Sequence, residues 1–432
     1  MNANRRSHSN GAWRTIVAAL AAGLLSVASF VNVPAAKATS VIYVALNKSN
    51  SVANSGCSAP AYGSLSYASD PDATIQAAIN AAAEGDIIHI CQGTWNLYST
   101  SGDRPVNTAD HLNTNSRSMT LRGDGRDKTI LKATNFGRII SSSDAAGENW
   151  EPLTFQNIEL QGGNVNWDGG AVAARGVTCI NSDFVNNSAE AGSGGAIYSE
   201  GPVAITSCLF SGNEATSDGG AVWVSTYALT VRGSTFATNT ATGCGGGIFA
   251  GDVIATVAGS RFEANTANFS AAYCGNYNGS LTVSGSNFRS NRALISIGAV
   301  EAHEVISSRN QYVNNVADSA NGALQFCEGS LDRDTFQGNR SSSGFAALNA
   351  ACDLISMQRT TFTRNIGEGS AHIVNVPRAA GALRNTISSN RTSRSSMVTV
   401  CSRDEMVAFL RQNTLKSNSG GPVIEIVGCD ER

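Results

Sequence analysis

Apolar residues along the last three-fifths of the chain recur in a fixed relation to asparagine. Ten times an apolar residue is followed three places later by Asn, and neighbouring pairs are separated by 26, 26, 26, 26, 24, 24, 26, 25 and 28 residues. The pairs are Phe184/Asn187, Phe210/Asn213, Phe236/Asn239, Phe262/Asn265, Phe288/Asn291, Tyr312/Asn315, Phe336/Asn339, Phe362/Asn365, Ile387/Asn390 and Leu415/Asn418. Such a period, without helical spacing, indicates a solenoid of stacked coils.

Each coil contains three short segments that alternate as strands do. The first carries an apolar residue five places before the aromatic residue, the second ends in the aromatic residue, and the third begins at a Gly-Gly-Ala type step. The residue after this step, as in Ile197, Val222 and Ile248, is apolar and is expected to face inward.

The pattern predicts an all-β fold, a right-handed parallel β-helix with three strands per coil. We expect Phe to stack on Phe in the interior and Asn on Asn in a turn. The Asn is expected to adopt the left-handed backbone of a sharp bend, while its amide bonds the equivalent Asn on adjacent coils. Both ladders are interpreted as structural.

The N-terminal residues 1–38 have the pattern of a signal peptide. Arg5 and Arg6 precede an apolar run, and the small-residue site Ala36-Lys37-Ala38 follows it. No membrane span is therefore expected after cleavage, and the mature protein is expected to be secreted or extracellular.

Residues 39–115 are interpreted as an N-terminal cap with the first coils. They contain a predicted amphipathic helix that begins at Pro71 and buries Ile75 and Ile79, which would cover the open end of the solenoid. Residues 116–432 are interpreted as the β-helix with C-terminal closing coils.

All ten cysteines follow the predicted cleavage site, as is typical of a protein in an oxidising compartment. Equivalent places on adjacent coils lie about 4.8 Å apart, within the Cα separation of a disulfide, about 4.4–6.8 Å. The predicted disulfides are Cys327–Cys352, Cys401–Cys429, Cys57–Cys91, Cys179–Cys208 and Cys244–Cys274. The alternative is that these cysteines are buried thiols packed as small hydrophobic side chains.

The net charge and the spacing of the histidines argue against several classes of function. A formal net charge of -3 argues against a nucleic-acid-binding protein. The five histidines are widely separated, so the sequence predicts no metal site and no Ser-His-Asp triad.

The pairing of Phe-x-x-Asn with Gly-Gly-Ala-[Ile/Val], over roughly residues 150–370, resembles the repeats of the polymorphic outer membrane proteins of chlamydiae. That resemblance implies a surface-exposed, adhesin-like β-helix. The stretch Thr74-Ile75-Gln76-Ala77-Ala78-Ile79 with Gly93-Thr94-Trp95 is similar to the N-terminal part of pectate-lyase-like proteins, which implies the fold and not an activity. Because the sequence ends soon after the last coil, we expect release or non-covalent attachment rather than anchoring through a barrel of its own.

Two outward-facing sets of residues are candidates for ligand binding. The first is an aromatic stripe, Tyr198, Trp223 and Phe249, which follows the inward residue on three adjoining coils; later coils place Glu301, Gln325 and Asn349 there. Such a stripe suits stacking on sugar rings or contact with a protein partner. The alternative is an aromatic stack sheltered by a loop.

The second set lies three places before the aromatic residue, where Ser207, Gly233, Gly259 and Gly285 of the early coils give way to arginine. These arginines, here called the Arg row, are Arg309, Arg333, Arg359 and Arg384. Stacked guanidinium groups repel each other unless anions intervene, so we hypothesise a low-specificity site for an acidic polysaccharide. The alternative is local neutralisation by Asp332, Asp334, Asp353 and Asp318.

The sequence thus favours a secreted or surface-exposed β-helix that binds polysaccharide or cell-surface protein, with no cofactor. An alternative is a polysaccharide lyase or hydrolase acting on an acidic glycan, for which calcium would be the cofactor; a purely structural envelope component is a third possibility. No catalytic motif of polygalacturonases or pectinesterases occurs, so no catalytic residue is assigned.

Overall fold

The structure is a computed structural model that describes residues 39–45, 57, 71–98, 110–143, 149–276, 278–376, 381–393 and 395–426. Across these residues the chain forms a parallel β-helix, as predicted. Each strand pairs with its equivalent on the neighbouring coils, so that Phe210 aligns with Phe236, and Phe236 with Phe262. The predicted signal peptide, residues 1–38, lies outside the described residues.

Three sheets run along the rod. The aromatic sheet comprises Gly93–Leu97, Thr129–Ala133, Glu159–Gln161, Asp183–Val185, Leu209–Ser211, Thr235–Ala237, Arg261–Glu263, Asn287–Arg289, Gln311–Val313, Thr335–Gln337, Thr361–Thr363, Thr386–Ser388 and Thr414–Lys416. The short-strand sheet comprises Asn164–Val165, Ser188–Ala189, Glu214–Ala215, Thr240–Ala241, Thr266–Ala267, Arg292–Ala293, Val316–Ala317, Arg340–Ser341, Ile366–Gly367 and Arg391–Thr392.

The large sheet receives two strands from most coils, and these merge into single long strands between Val300 and Gln358. Its strands are Val41–Val44, Ile87–Ile90, Asp110–Asn113, Met119–Gly123, Arg138–Ser141, Pro152–Gln156, Val172–Ala174, Gly176–Ile180, Ile197–Ser199, Val203–Thr206, Val222–Val224, Leu229–Arg232, Ile248–Ala250, Ile254–Ala258, Tyr273–Gly275, Ser280–Ser284, Val300–Ser308, Leu324–Asp332, Phe345–Gln358, His372–Asn375, Ala382–Leu383, Val398–Val400 and Ile424–Ile426.

The aromatic ladder fills the interior along the aromatic sheet. From Phe184 to Phe362 successive rings are stacked, with centroids 4.6–5.0 Å apart and planes within 12° of parallel. The rings are at most 1% exposed. Burial of the rings and stacking between coils therefore hold the coils in register.

The Asn ladder lies in the turn that follows the aromatic sheet, and it is buried. Asn213 shows the pattern: its Nδ2 donates to the carbonyl oxygen of Phe184 at 3.0 Å and to Oδ1 of Asn239 at 2.9 Å. The prediction of amide bonds between coils is confirmed, but the backbone prediction was wrong. The left-handed residue is the one before each Asn, such as Gly212 (φ 65°) or Thr238 (φ 55°), because the turn bends there while the Asn side chain replaces missing backbone bonds.

An N-terminal helix, α1 (Pro71–Ala81), caps the solenoid as predicted. Ile75 and Ile79 are fully buried. Asp72 ties the cap to the first coils, since its Oδ2 lies 3.0 Å from Nδ1 of His111 and its Oδ1 accepts the backbone N–H of Tyr98 at 2.9 Å.

A second helix, α2 (Arg403–Gln412), was not predicted. The sequence does contain its signal, because Ser402 accepts the backbone N–H of Glu405 at 3.2 Å in the first turn and Phe409 is fully buried. No helix in the described part of the chain is long and apolar enough to cross a membrane.

Four disulfides join pairs that the sequence analysis proposed: Cys57–Cys91, Cys179–Cys208, Cys244–Cys274 and Cys327–Cys352. Their Cα atoms lie 4.6–6.5 Å apart, as expected for bridges between stacked coils. The fifth predicted pair, Cys401–Cys429, includes Cys429, which lies outside the described residues.

Candidate functional site

The Arg row occupies a left-handed corner between the large sheet and the aromatic sheet. Arg309, Arg333, Arg359 and Arg384 have φ values of 56°, 58°, 53° and 58°. The equivalent corners of earlier coils are Asn181 (φ 46°), Ser207 (φ 57°), and Gly233, Gly259 and Gly285 (φ 56° to 57°). Glycine adopts this conformation at no steric cost, whereas another residue there costs about 1 kcal/mol. All four arginine side chains are exposed.

The Arg row carries more positive charge than its neighbours neutralise. Asp332 accepts a hydrogen bond from Nε of Arg359 at 2.9 Å and lies 4.0 Å from Nε of Arg333. Arg309 and Arg384 form no ion pair with any described residue. Asp332 thus serves two of the four arginines.

The other proposed counter-charges do not reach the Arg row. Asp318 pairs with Arg292 at 2.8 Å on the short-strand sheet. Asp334 turns inward and is 1% exposed; its Oδ1 accepts the backbone N–H of Asn310 at 2.7 Å, and burial raises its pKa to about 7. The side chain of Asp353 lies outside the described part of the chain. Local neutralisation by Asp332, the remaining candidate, is therefore partial.

Hydroxyl groups flank the Arg row on the aromatic sheet. Two places after each of the last three arginines, strand alternation turns Thr335, Thr361 and Thr386 outward, and each is half-buried. This surface offers a line of cations beside a line of hydroxyl groups, which can bind carboxylate or sulfate together with sugar hydroxyls.

The aromatic stripe lies on the outer surface of the large sheet, where Tyr198, Trp223 and Phe249 are each half-buried. The ring centroids of Tyr198 and Trp223 are 4.4 Å apart and nearly parallel, and those of Trp223 and Phe249 are 6.1 Å apart. Trp150 packs edge-on against Tyr198 at 6.1 Å. Because the rings cover each other's faces, the stripe presents mainly edges, which suit a protein or glycan edge better than stacking of a sugar on each ring.

Beyond the stripe, the same row continues as polar side chains. Strand register places Cys274 after Phe249, followed by Glu301, Gln325 and Asn349. Thr399 Oγ1 donates to Asn375 Oδ1 (2.8 Å), Asn375 Nδ2 to Asn349 Oδ1 (2.8 Å), Asn349 Nδ2 to Gln325 Oε1 (3.1 Å) and Gln325 Nε2 to Glu301 Oε1 (3.4 Å). Every donor in this chain points toward Glu301, so the dipoles add at its carboxylate.

Glu301 lines a cavity of about 710 Å³ on this face. Phe269, His303, Gln325 and Phe326 also line it, together with the Cys244–Cys274 and Cys327–Cys352 disulfides. Burial raises the pKa of Glu301, and hydrogen bonds from Ser270 and Gln325 act in the opposite direction. In the sequence, Glu301 and Gln325 indicate only the orientation of the strand, but their position between two predicted disulfides is the signal that points to a site.

Two groups of side chains have the composition of a metal site. One is Cys57, His89, Cys91 and Asp124, and the other is Cys244, Cys274 and Glu301. In both groups the cysteines are disulfide-bonded and offer no thiolate ligand. His89 lies between Asp124 (2.9 Å) and Arg122 (2.9 Å), and burial lowers its pKa.

A separate group brings carboxylates of adjacent coils beside an arginine. Asp183 lies 3.3 Å from Arg126, and strand register places Glu159 next to Asp183. Burial raises the pKa of both carboxyl groups, and the charge of Asp183 adds to the effect on Glu159. The group is fixed by Arg126, which also donates to the carbonyl oxygen of Ser207 at 3.3 Å.

A comparison with known families decides the type of repeat. The Chlamydia polymorphic membrane protein (Chlamydia_PMP) repeat matches residues 181–200 and 207–225, two adjacent coils of the rod. The chain is a β-helix repeat protein with repeats of this type. No curated protein and no solved structure matches it significantly.

The polymorphic-membrane-protein-type repeats and the disulfides together indicate a surface-associated or secreted β-helix protein. In both matched segments the repeat includes the Asn ladder and the Gly-Gly-Ala step. These elements build the interior and the turns, so the match identifies the architecture, while the Arg row and the cavity lie outside the matched residues.

Proposed function

We propose that this β-helix protein acts outside the cell, free or attached to a surface, and binds an acidic polysaccharide along the Arg row. The matching repeat, which is named for a membrane protein of chlamydiae, and the disulfides support the location. The geometry of the Arg row supports the ligand class.

The observation that carries the proposal is the left-handed backbone of the four arginines. Glycine would fit these corners without strain, and the earlier coils use it at Gly233, Gly259 and Gly285. Asn181 and Ser207 show that the corner also accepts short polar residues, but arginine on four consecutive coils, with its long cationic side chain exposed each time, supports a role in binding.

Spacing and charge agree with a long anionic ligand. Four coils at about 4.8 Å per step place the guanidinium groups along about 14 Å of the rod. Arginine binds carboxylate and sulfate through paired N–H groups, and Arg309 and Arg384, which pair with no residue that the structure describes, lie on either side of the ion-paired centre. A repeating acidic glycan can contact all four.

The test removes charge from the centre of the Arg row. Retention of the Arg333→Ala/Arg359→Ala variant is compared with that of the unchanged protein on immobilised polyuronate and sulfated glycan, by the salt concentration needed for elution. We expect elution at clearly lower salt, because each arginine removed reduces the number of counter-ions that binding displaces from the glycan.

The matched control is Arg292→Ala/Arg340→Ala, which removes two arginines that are paired with Asp318 and Glu368 on the short-strand sheet. It should elute near the position of the unchanged protein. If both variants lost retention equally, the net charge of the protein alone would explain binding to the glycan, and the proposal would be contradicted.

The lyase alternative rests on one observation, the approach of Glu159 and Asp183 to Arg126. A lyase that uses these groups would release unsaturated uronate, detected by ultraviolet absorbance, from polyuronate in the presence of calcium. The Asp183→Asn variant would then lose that absorbance while keeping its retention on polyuronate. Absence of product from a panel of polyuronates would leave binding as the function of the Arg row.

A further inference from the structure

The cavity at the Glu301 end of the hydrogen-bonded chain of Asn375, Asn349 and Gln325 forms a second site, chemically opposite to the Arg row. We propose that it binds an organic ammonium group carried by a hydroxyl-rich ligand, as in an amino sugar. Its volume of about 710 Å³ falls within the range of about 300–1,000 Å³ of small-ligand pockets.

Glu301 supplies the negative charge of this site. Its Oε2 accepts a hydrogen bond from Ser270 at 2.8 Å. Its Oε1 accepts one from Gln325 at 3.4 Å, which is the last hydrogen bond of the chain that begins at Thr399. Among the described residues, Glu301 forms no ion pair, and neither Lys nor Arg lines the cavity. A partly buried carboxylate without a cation is costly, so a bound cation would stabilise it.

The walls favour an ammonium group over a metal ion. Glu301 is the one acidic side chain among the described lining residues, whereas calcium takes about six to eight oxygen ligands. The neighbouring sulfur atoms of Cys244 and Cys274 are held in a disulfide. Phe269, which lines the cavity and is 41% exposed, supplies an aromatic ring, and aromatic rings attract cations.

Side-chain amides and carbonyl groups complete the site for a hydroxylated ligand. Asn276 and Gln325 line the cavity, and Gln325 is held by Asn349 and Glu301. Amides with fixed orientation select hydroxyl groups through both donors and acceptors. A hydroxylated ligand can use the second N–H of Gln325 and the exposed amide of Asn276, which a simple alkylammonium ion cannot, and the structure therefore favours an amino sugar.

The experiment is a calorimetric titration of the intact protein with oligosaccharides of equal length. Glucosamine oligomers should bind, N-acetylglucosamine oligomers should bind at least tenfold more weakly, and a lysine-rich peptide of equal charge should also bind more weakly. The Glu301→Gln variant should lose at least tenfold in affinity for glucosamine oligomers, and Phe269→Ala about fivefold.

Glu304→Gln is the matched control, because Glu304 is exposed on the same strand and does not line the cavity. Its affinity should be unchanged, and the unfolding midpoint of Glu301→Gln should match that of the unchanged protein. The proposal is overturned if Glu301→Gln binds like the unchanged protein, if the acetylated oligomers or the peptide bind as tightly as glucosamine oligomers, or if no glucosamine oligomer binds. Because Arg333→Ala/Arg359→Ala should keep this binding, failure here is separate from failure of the Arg row.

Discussion

The coils from Phe184 to Phe288 and those from Tyr312 to Ile387 are alike inside and different outside. In both halves aromatic rings stack at 4.6–5.0 Å and the Asn ladder bonds to the next coil at 2.9–3.2 Å. At the left-handed corner, however, the first half has short or polar residues (Asn181, Ser207, Gly233, Gly259 and Gly285), and the second half has the Arg row. The interior therefore specifies the repeat, and the two halves differ in the side chains that they expose.

Charge follows the same division. Residues 151–288 contain three basic and ten acidic residues, whereas residues 289–400 contain eleven basic and eight acidic residues. A single interior therefore supports an acidic half and a basic half of one rod. An anionic ligand would be attracted to the second half and repelled by the first.

The largest predicted effect should be the same in both halves. Phe236→Ala and Phe336→Ala each remove a fully buried ring from the ladder and should lower the free energy of unfolding by about 3–5 kcal/mol. Chemical unfolding, followed by circular dichroism, measures the shift. A large effect in one half only would break the equivalence of the two interiors.

The second effect is confined to the second half, where Asp334 takes a ladder position that the first half fills with Ser234, Ser260 and Ser286. Because burial raises the pKa of Asp334 from 3.8 to about 7, its stabilising contribution is complete below about pH 4 and is lost as pH rises through about 7. At 1.36 kcal/mol per pKa unit, the loss is about 4 kcal/mol.

The Asp334→Asn variant tests this pH dependence. Its amide can donate to a backbone carbonyl, as Asn385 Nδ2 does to the carbonyl oxygen of Met357 at 2.9 Å. We expect the variant to be more stable than the unchanged protein at pH 8 and to lose the difference at pH 4, as measured by unfolding at both pH values. A constant difference across this range would contradict the protonation account.

The smallest predicted effect on stability comes from a substitution in the second half that should change binding far more than folding. Asp332→Asn breaks a surface ion pair with Arg359 and should change the free energy of unfolding by less than about 1 kcal/mol. The change also removes the ion-pair partner of Arg333 and Arg359, so these arginines are free to bind the polysaccharide. We therefore expect the variant to elute from acidic polysaccharide at higher salt than the unchanged protein. Weaker retention would indicate that Asp332 orients the arginines rather than competing with the ligand.

The sequence contained most of the fold, because a repeat converts local spacing into position along the rod. Counting from each Phe and Asn identified the inward-facing residues and the sheet that carries the rings. It also identified the cysteines that lie at equivalent places on adjacent coils. The left-handed residue was misassigned because its identity varies, as in Asn186, Gly212, Thr238 and Ala264, while the Asn that follows it in each coil bonds through its side chain.

The candidate sites were only partly visible in the sequence. The Arg row could be predicted because each arginine occupies the same place in its coil. The cavity could not, because Phe269 precedes the strand Tyr273–Gly275 whereas Glu301 lies in the strand Val300–Ser308 of the next coil, and only the packing of these coils brings both to one cavity. The direction of the amide chain depends on side-chain rotamers, which spacing does not specify.

Whether the Arg row serves binding and not folding is tested by replacing all four arginines with glycine and measuring unfolding and polysaccharide retention on the same preparation. Glycine relieves the left-handed strain, so we expect an unfolding midpoint equal to or above that of the unchanged protein together with loss of retention. A lower midpoint, or unchanged retention on polyuronate and sulfated glycan, would contradict a binding role for the Arg row.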